Sequence, residues 1–485
     1  MILRILVAAL LVAVHFLTGY GVLSLLKVKL KPVMHGMLSI LLGVAVASIL
    51  PFLLQLAYIP LTSATVFGTL VGVMLLLNIK VLLSKAKPTL SKSDFSIKMY
   101  EWPFVLILTF LVLISIWRCY TLPPTPRDLL SGPETIAEFA VREHSFINSV
   151  FGLSLESTNN QFKPPFLTCL QLIYKLAGFP FGQWWLSVIV TSFIIFMYNA
   201  LKEIVHPILA GALLLFFMAA PEMYGYTFMA LFDYANMVFL FLSCYFLFAY
   251  FRDKDKQKFY LATLLMAFAV YIRSETLVLA AMLVPAILFT QWQWKESIKQ
   301  MAITVVIFMV SSFLLYYIPQ TFYIKYYLPA QYDVSGLIRS DIFNLQPLWQ
   351  RFKDMNSELM FSEYGRALWG YIIYVFTIFF VAELVFFKAR FTVAARNWLY
   401  AVLVVYIGLP VLGFLLPLMD LEHTTKRGLM KILPLMVFYL AHNQILQKIT
   451  AWLNTFENPA GRVPVSVARP KAQPVPETKK KKKKH

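Results

Sequence analysis

Charge is scarce in this sequence. Only 14% of its 485 residues are Asp, Glu, Lys or Arg, against about 25% in soluble domains, which excludes a surface that meets water on every side. Cysteine is scarcer: Cys119, Cys169 and Cys244 are the three in the chain, and each lies in or beside an apolar segment without metal-ligand spacing. Neither a disulfide framework nor a zinc centre follows from them. There is no phosphate-cradling glycine loop, no dinucleotide fingerprint, no zinc signature and no internal repeat, so the nucleotide-binding and solenoid classes find no support.

Hydrophobic residues fill the space instead, at 59% of the chain. A helix that crosses a bilayer takes about 20 apolar residues. Runs of that kind occur near 4–26, 33–57, 60–84, 102–119, 184–200, 207–221, 228–250, 258–272, 275–291, 300–317, 367–388, 397–417 and 428–446. The chain is therefore read as all-α, a polytopic transmembrane helical bundle of about 13 spans folded as one unit. The run from Ile5 to Leu26 is long for a signal peptide and lacks a small-residue cleavage site, so it counts as the first span.

The net charge of +19 points to membrane topology rather than nucleic acid, because Lys and Arg gather in short loops between apolar runs. Those loops hold Lys27 to Lys31, Lys80 to Lys98, Arg252 to Lys258, Lys295 with Lys299, and Lys388 to Arg396. With these inside, the N-terminus lies outside and the C-terminus in the cytoplasm, as expected of a multi-pass protein of a bacterial inner (plasma) membrane. Four parts follow: a four-span segment over 1–119, a first extracytoplasmic loop over 120–183, a transmembrane core over 184–446 with a second outer loop at 318–366, and a disordered basic tail over 447–485. The scheme requires that Phe166 to Leu176 not cross; Pro164-Pro165 suits the start of a short interfacial helix there. The tail ends in Lys479 to Lys484 and is expected to lie on the anionic lipid of the inner leaflet.

In so apolar a chain the ionisable residues near span ends draw attention, since they are costly unless paired or facing a wet chamber. Most belong to the outer side: Asp128 and Glu134 in the first loop, Glu222 and Asp233 around the next turn, Arg273 and Glu275, then Asp420, Glu422, His423, Lys426 and Arg427. Asp233 is either the partner of a structural arginine or a metal ligand or acceptor-binding carboxylate. Arg273 and Glu275 either neutralise each other or offer a guanidinium fork to phosphate. Lys426 and Arg427 run against the positive-inside tendency, which suggests an anionic lipid phosphate, with Lys431 a third contact or a side chain that snorkels to the interface. His144 and His423 are isolated histidines with a weaker metal-binding reading.

The order of these motifs resembles the polytopic GT-C glycosyltransferases, which use polyprenyl-phosphate-linked sugars. The similarity rests on PRDLLSGPE, IAEFAVREH and KPPFLTCLQLIYKLAG, the Asp in FMALFDYANMVFLFL, the R-x-E of YIRSETLVLAA and the late K-R before ILPLM, over about 120–446. The acidic pair often adjacent in that family is split here between Asp128 and Glu134. The resemblance implies displacement at an anomeric carbon, with Asp128 as proton acceptor and Glu134 second. Arg273, Lys426 and Arg427 would stabilise the departing phosphate, and Asp233, with Glu275 beside Arg273, would take part in substrate binding. A divalent ion, Mg or Mn, shared by Asp128 and Asp233 is also implied. Partners would be the lipid-linked donor, a glycan, lipid or protein acceptor, and membrane lipids, with no nucleic acid. A glycan polymerase or ligase, or a transporter or flippase, are the rival readings; a transporter of this size would be expected to show two related halves, and none is evident.

Replacing Asp128 with Asn should abolish transfer from polyprenyl-phosphate sugars in isolated membranes while leaving the amount of protein unchanged. Wild-type rates in that variant would remove Asp128 from the chemistry.

Overall fold

Peptide groups in hydrocarbon must find partners within their own segment, so each apolar run closes its hydrogen bonds as a helix. In this computed structural model the described residues are 2–83, 97–125, 129–152, 163–327, 339, 341–416 and 420–457, and among them there is no strand. The first helices are α1 (Ile2–Leu26), α2 (Pro32–Leu56), α3 (Ser63–Leu83) and α4 (Trp102–Thr121), followed by the short α5 (Thr135–Glu143) and α6 (Phe166–Leu176). The centre holds α7 (Trp184–Lys202), α8 (Pro207–Met218), α9 (Pro221–Gly225), α10 (Phe232–Asp253), α11 (Lys256–Ile272), α12 (Thr276–Gln293) and α13 (Ile298–Tyr316). Last come α14 (Gln346–Asp354), α15 (Glu363–Trp369), α16 (Ile372–Phe386), α17 (Val393–Leu415), α18 (Lys426–Leu429), α19 (Ile432–His442) and α20 (Gln444–Glu457).

Nine of the described helices are long and apolar enough to cross a membrane, or eleven if two bent pairs, α15 with α16 and the 421–442 stretch with α20, each form one span. The protein is thus an integral multi-pass membrane protein, but a count of about 13 is not confirmed. Length is the reason. The runs at 207–221 and 258–272 yield α8 of 12 residues and α11 of 17, roughly 18 and 26 Å long, whereas the hydrocarbon core is about 30 Å thick.

Ion pairs sort to the two ends of the bundle. At one end Lys31 meets Glu203 at 3.2 Å, Lys202 meets Glu101 at 2.5 Å, and Glu457 receives Lys98 at 2.5 Å and His206 at 2.9 Å. Asp253, at the close of α10, pairs there with Arg252 and Lys258. Because α10 has 22 residues, Asp233 at its start stands about 30 Å from Asp253, at the opposite end. α10 is the most deeply buried span, packed by α11, α7 and α17.

The N-terminal helices close against each other through glycine. A Cβ on Gly43 would lie 1.7 Å from the carbonyl oxygen of His15, and one on Gly19 would lie 1.8 Å from that of Ser39. Backbone approach this close between α1 and α2 is the small-residue packing that lets membrane helices gain dispersion contacts where lipid gives no hydrophobic drive. α2 then packs on α7 and α6. At its end, the Gln55 Oε1 accepts the Phe146 N–H at 2.7 Å, which ties the first outer loop to the helices before it. α6 forms over the expected residues, with Phe166 to Tyr174 buried against neighbouring helices. α20 carries regular structure to Glu457, with Ile449, Leu453 and Phe456 at helical spacing. The start of the tail expected to be disordered from 447 is thus helical, and Lys479 to Lys484 lie outside the described residues.

Gly43→Ala should overpack the α1–α2 contact at a cost of about 1–3 kcal/mol, read as a lower unfolding temperature in detergent. Gly72→Ala, whose Cβ would meet nothing within 4 Å, should leave that temperature unchanged or slightly raised.

Candidate active site

The chain between α11 and α12 breaks for a local reason. A helix leaves its last carbonyls without partners, and near the end of α11 the Ala269 carbonyl is taken by two donors. One is the Arg273 N–H at 3.0 Å; the other is the side-chain amide of Asn236, at 2.6 Å. That amide also donates to the Thr276 hydroxyl at 2.9 Å, at the start of α12. Asn236 lies one turn after Asp233 on α10, so the device that ends α11 also sets the three-residue turn Arg273-Ser274-Glu275 beside Asp233.

Four ionic groups converge there, Asp233 and Lys431 buried and Arg273 and Glu275 partly so. Arg273 Nη1 lies 2.6 Å from Asp233 Oδ1, and its Nε pairs with the Glu275 carboxylate. From the start of α19, Lys431 Nζ reaches the same Glu275 at 3.5 Å. Two carboxylates and two cations cancel, which is the condition for holding charge out of water. Asp233 and Lys431 are each 1% exposed. Burial pushes the Glu275 carboxyl up, but Arg273 and then Lys431 outweigh it and hold it at about 2.

The Asp233 carboxylate is only half used. Its Oδ2 is buried and has no hydrogen-bond partner among the described residues, and an unpaired buried acceptor of this kind is expensive to keep. Around it, Tyr226 feels the charges of Asp233, Arg427, Glu222 and Arg273; burial and then the Asp233 charge push its phenol up. At the rim, Lys426 meets Glu222 at 3.0 Å. Lys163 acts on Glu275 through its charge.

Of the residues expected from sequence, Asp233, Arg273 and Glu275 form one cluster, with Lys426 and Arg427 beside it. Lys431 joins the cluster as the partner of Glu275. Glu134 belongs to a neighbouring network: Lys175 Nζ lies 2.7 Å from one of its oxygens, and the Gln171 amide donates to the other. Burial raises its carboxyl above the usual range, against the pull of Lys175. Phe166 has its ring 6.0 Å from that of Trp185, which donates to Gln171, and 6.0 Å from that of Tyr271, two residues before Arg273. Asp128 lies outside the described residues. His144 ends α5 in a left-handed conformation, and His423 pairs with Asp420 at 2.6 Å. Sequence reasoning passed over Tyr226, Asn236 and Lys163. Nothing local marks them, although Asn236 at one-turn spacing from Asp233 was a usable sign.

Residues 163–316 match the family model described as dolichyl-phosphate-mannose-protein mannosyltransferase. That family belongs to the membrane glycosyltransferases of the GT-C superfamily, which supports the resemblance seen in the sequence. It also supports a glycosyltransferase that draws on a lipid-linked sugar. The matched segment includes Glu222, Asp233, Arg273 and Glu275, and ends before Lys426. No curated protein and no solved structure matches the chain.

Because the fold lowers the Glu275 carboxyl from 4.5 to about 2, it binds the ionised form more tightly. That stabilisation is complete above about 4.5 and is lost as pH falls toward about 2. The unfolding temperature of the wild type should therefore drop more steeply between pH 6 and pH 3 than that of Glu275→Gln. Parallel curves would contradict the pairing.

Proposed function

We propose that this chain moves a sugar from a polyprenyl-phosphate-linked donor to an acceptor hydroxyl on the extracytoplasmic face of the membrane, inverting the anomeric carbon. The observation that supports this most is Asp233. Its carboxylate is buried and clamped through Oδ1 by Arg273, with Oδ2 left over, inside the segment that matches a lipid-linked-sugar family. The opposite end of the bundle carries the Lys27–Lys31 and Arg252–Lys258 loops, and by the positive-inside tendency that end faces the cytoplasm. The ionic cluster then faces outward, with the N-terminus outside and the C-terminus inside.

In the proposed reaction the acceptor oxygen forms a bond to the anomeric carbon as the bond from that carbon to the phosphate oxygen breaks. The electron pair of the broken bond leaves with the phosphate. The proton of the acceptor hydroxyl passes to a carboxylate, for which Asp128 is the first choice. Glu134 is the second, since both of its oxygens are already engaged by Lys175 and Gln171. Asp233 positions the acceptor through Oδ2. Arg273 is committed to two carboxylates, so it acts on the phosphate by its field. Lys426, paired with Glu222, and Arg427 lie nearer the rim and add fixed positive charge where negative charge develops on the leaving oxygen.

Among the described residues no three His, Cys, Asp or Glu side chains gather as a metal site. Asp233 supplies a single spare oxygen. The described residues thus do not by themselves make the Mg or Mn site expected between Asp128 and Asp233, and no step here is routed through an ion.

With purified protein in liposomes and labelled polyprenyl-phosphate sugars, Asp233→Asn should lower kcat by about 10²-fold through misplacement of the acceptor. Arg427→Ala should cost about 10²–10³ in kcat. A wild type that turns over none of these donors, or an Arg427→Ala variant with an unchanged rate, would sink this reading.

A further inference from the structure

The outer segment between α13 and α16 carries a groove that the ionic cluster does not use. It is a shallow, open groove of about 680 Å³. Four rings line it: Trp349 and Phe352 of α14, Phe361, and Tyr406 of α17. Trp349 is 63% exposed and Phe361 43%, so ring faces are open to an incoming molecule. Phe352 and Tyr406 are partly buried beneath them, so two open rings stand on an aromatic floor, a larger apolar patch than a single exposed ring makes.

The polar groups between the rings narrow the choice of ligand. Asn356 is pinned, its Nδ2 donating to the Phe352 carbonyl at 2.7 Å and to the Tyr406 hydroxyl at 2.8 Å. Gln350 donates to Asp354 at 2.6 Å, which orients that carboxylate. Among the described residues, Lys353 and Asp354 are the charged side chains of the lining and they cancel, so a polyanion meets no net positive charge in the lining itself. Gln350, Asn356 and Ser357 already donate within the groove, to Asp354, to Phe352 and Tyr406, and to Lys353, but their oxygens keep lone pairs that a hydrocarbon chain would strip of water. What suits both sets is a neutral ligand with apolar C–H faces for the rings and hydroxyls, each donor and acceptor, for planar amides and a carboxylate. A saccharide chain has that make-up.

The groove also adjoins the ionic cluster. The turn at Met355–Met360, which carries Asn356, packs on the turn at Leu421–Thr425, which leads straight into Lys426. α15 packs on α9, which bears Glu222. We infer that this groove holds the acceptor of the transfer reaction and that the acceptor is a saccharide chain, an inference that rests on the glycosyltransferase reading above.

The test uses the full-length protein in lipid nanodiscs, presented to a panel of short gluco-, galacto-, manno- and N-acetylglucosamine oligosaccharides. At least one class should be retained. Trp349→Ala and Phe361→Ala, both surface changes, should each weaken retention tenfold or more, and Asn356→Ala should do the same. Trp452→Ala, an exposed tryptophan at the other end of the bundle, should change nothing. No retention above empty nanodiscs, or equal retention by the Trp349 and Phe361 variants, overturns the assignment. So does a Trp349→Ala variant that loses binding to vesicles while keeping its grip on the saccharide. Turnover of a lipid-linked sugar, measured separately, distinguishes the two claims: turnover without saccharide retention sinks the groove alone, and retention without turnover sinks the transferase reading.

Discussion

A guanidinium held 2.6 Å from a carboxylate, in a bundle that is otherwise mostly hydrocarbon, is the contact on which the organisation of this protein turns. Neither ion could stay buried alone; several kcal/mol of desolvation per ion must be offset by an opposite charge in good geometry. Arg273 meets that demand for Asp233 and Glu275 at once, and Lys431 completes the balance. The cluster therefore joins α10, the α11–α12 turn and α19 at one level. A shift of any of these helices by a turn would leave a bare charge in the apolar interior.

That constraint explains why so much of the surrounding structure is given to holding helices in register. Asn236 ties α10 to the end of α11 and the start of α12. His15, fully buried on α1, lies 3.0 Å from the Tyr174 hydroxyl on α6, so even the N-terminal helices bear on the outer loop. The glycine contact between α1 and α2 lets this first group pack as a stiff unit, and Gln55 anchors the loop to it. The N-terminal region, which the family match does not cover, thus acts as a brace for the segment that carries Glu134 and precedes the ionic cluster.

Two networks of opposite design sit side by side in this region. The cluster around Asp233 is neutral by count yet leaves one carboxylate oxygen unspent, whereas Glu134 has a donor on each oxygen. An unspent acceptor in a buried place suits a group that must meet a ligand, and a saturated one suits a group that holds architecture. The aromatic groove over α14 adds a third kind of surface, open and uncharged overall. On the proposed reading the ionic cluster places the reacting hydroxyl of the acceptor and the groove holds the rest of its chain, the two meeting near Lys426.

The sequence by itself determined that this is a membrane protein built of helices and named most of the residues that meet in the cluster. Both follow from local properties: a run of apolar residues must close its own hydrogen bonds, and a charge within such a run stands out. The number of spans was less legible, since α8 and α11 are apolar but shorter than a usual crossing helix. The partners of each charge were decided only by tertiary structure. Glu275 and Lys431 are 156 residues apart, Glu134 goes to Lys175 rather than to Asp233, and Tyr406 meets Asn356 across 50 positions. No periodicity records such meetings, because they depend on which helices pack together and at what depth, and that choice is made by side-chain shape and backbone approach over the whole bundle.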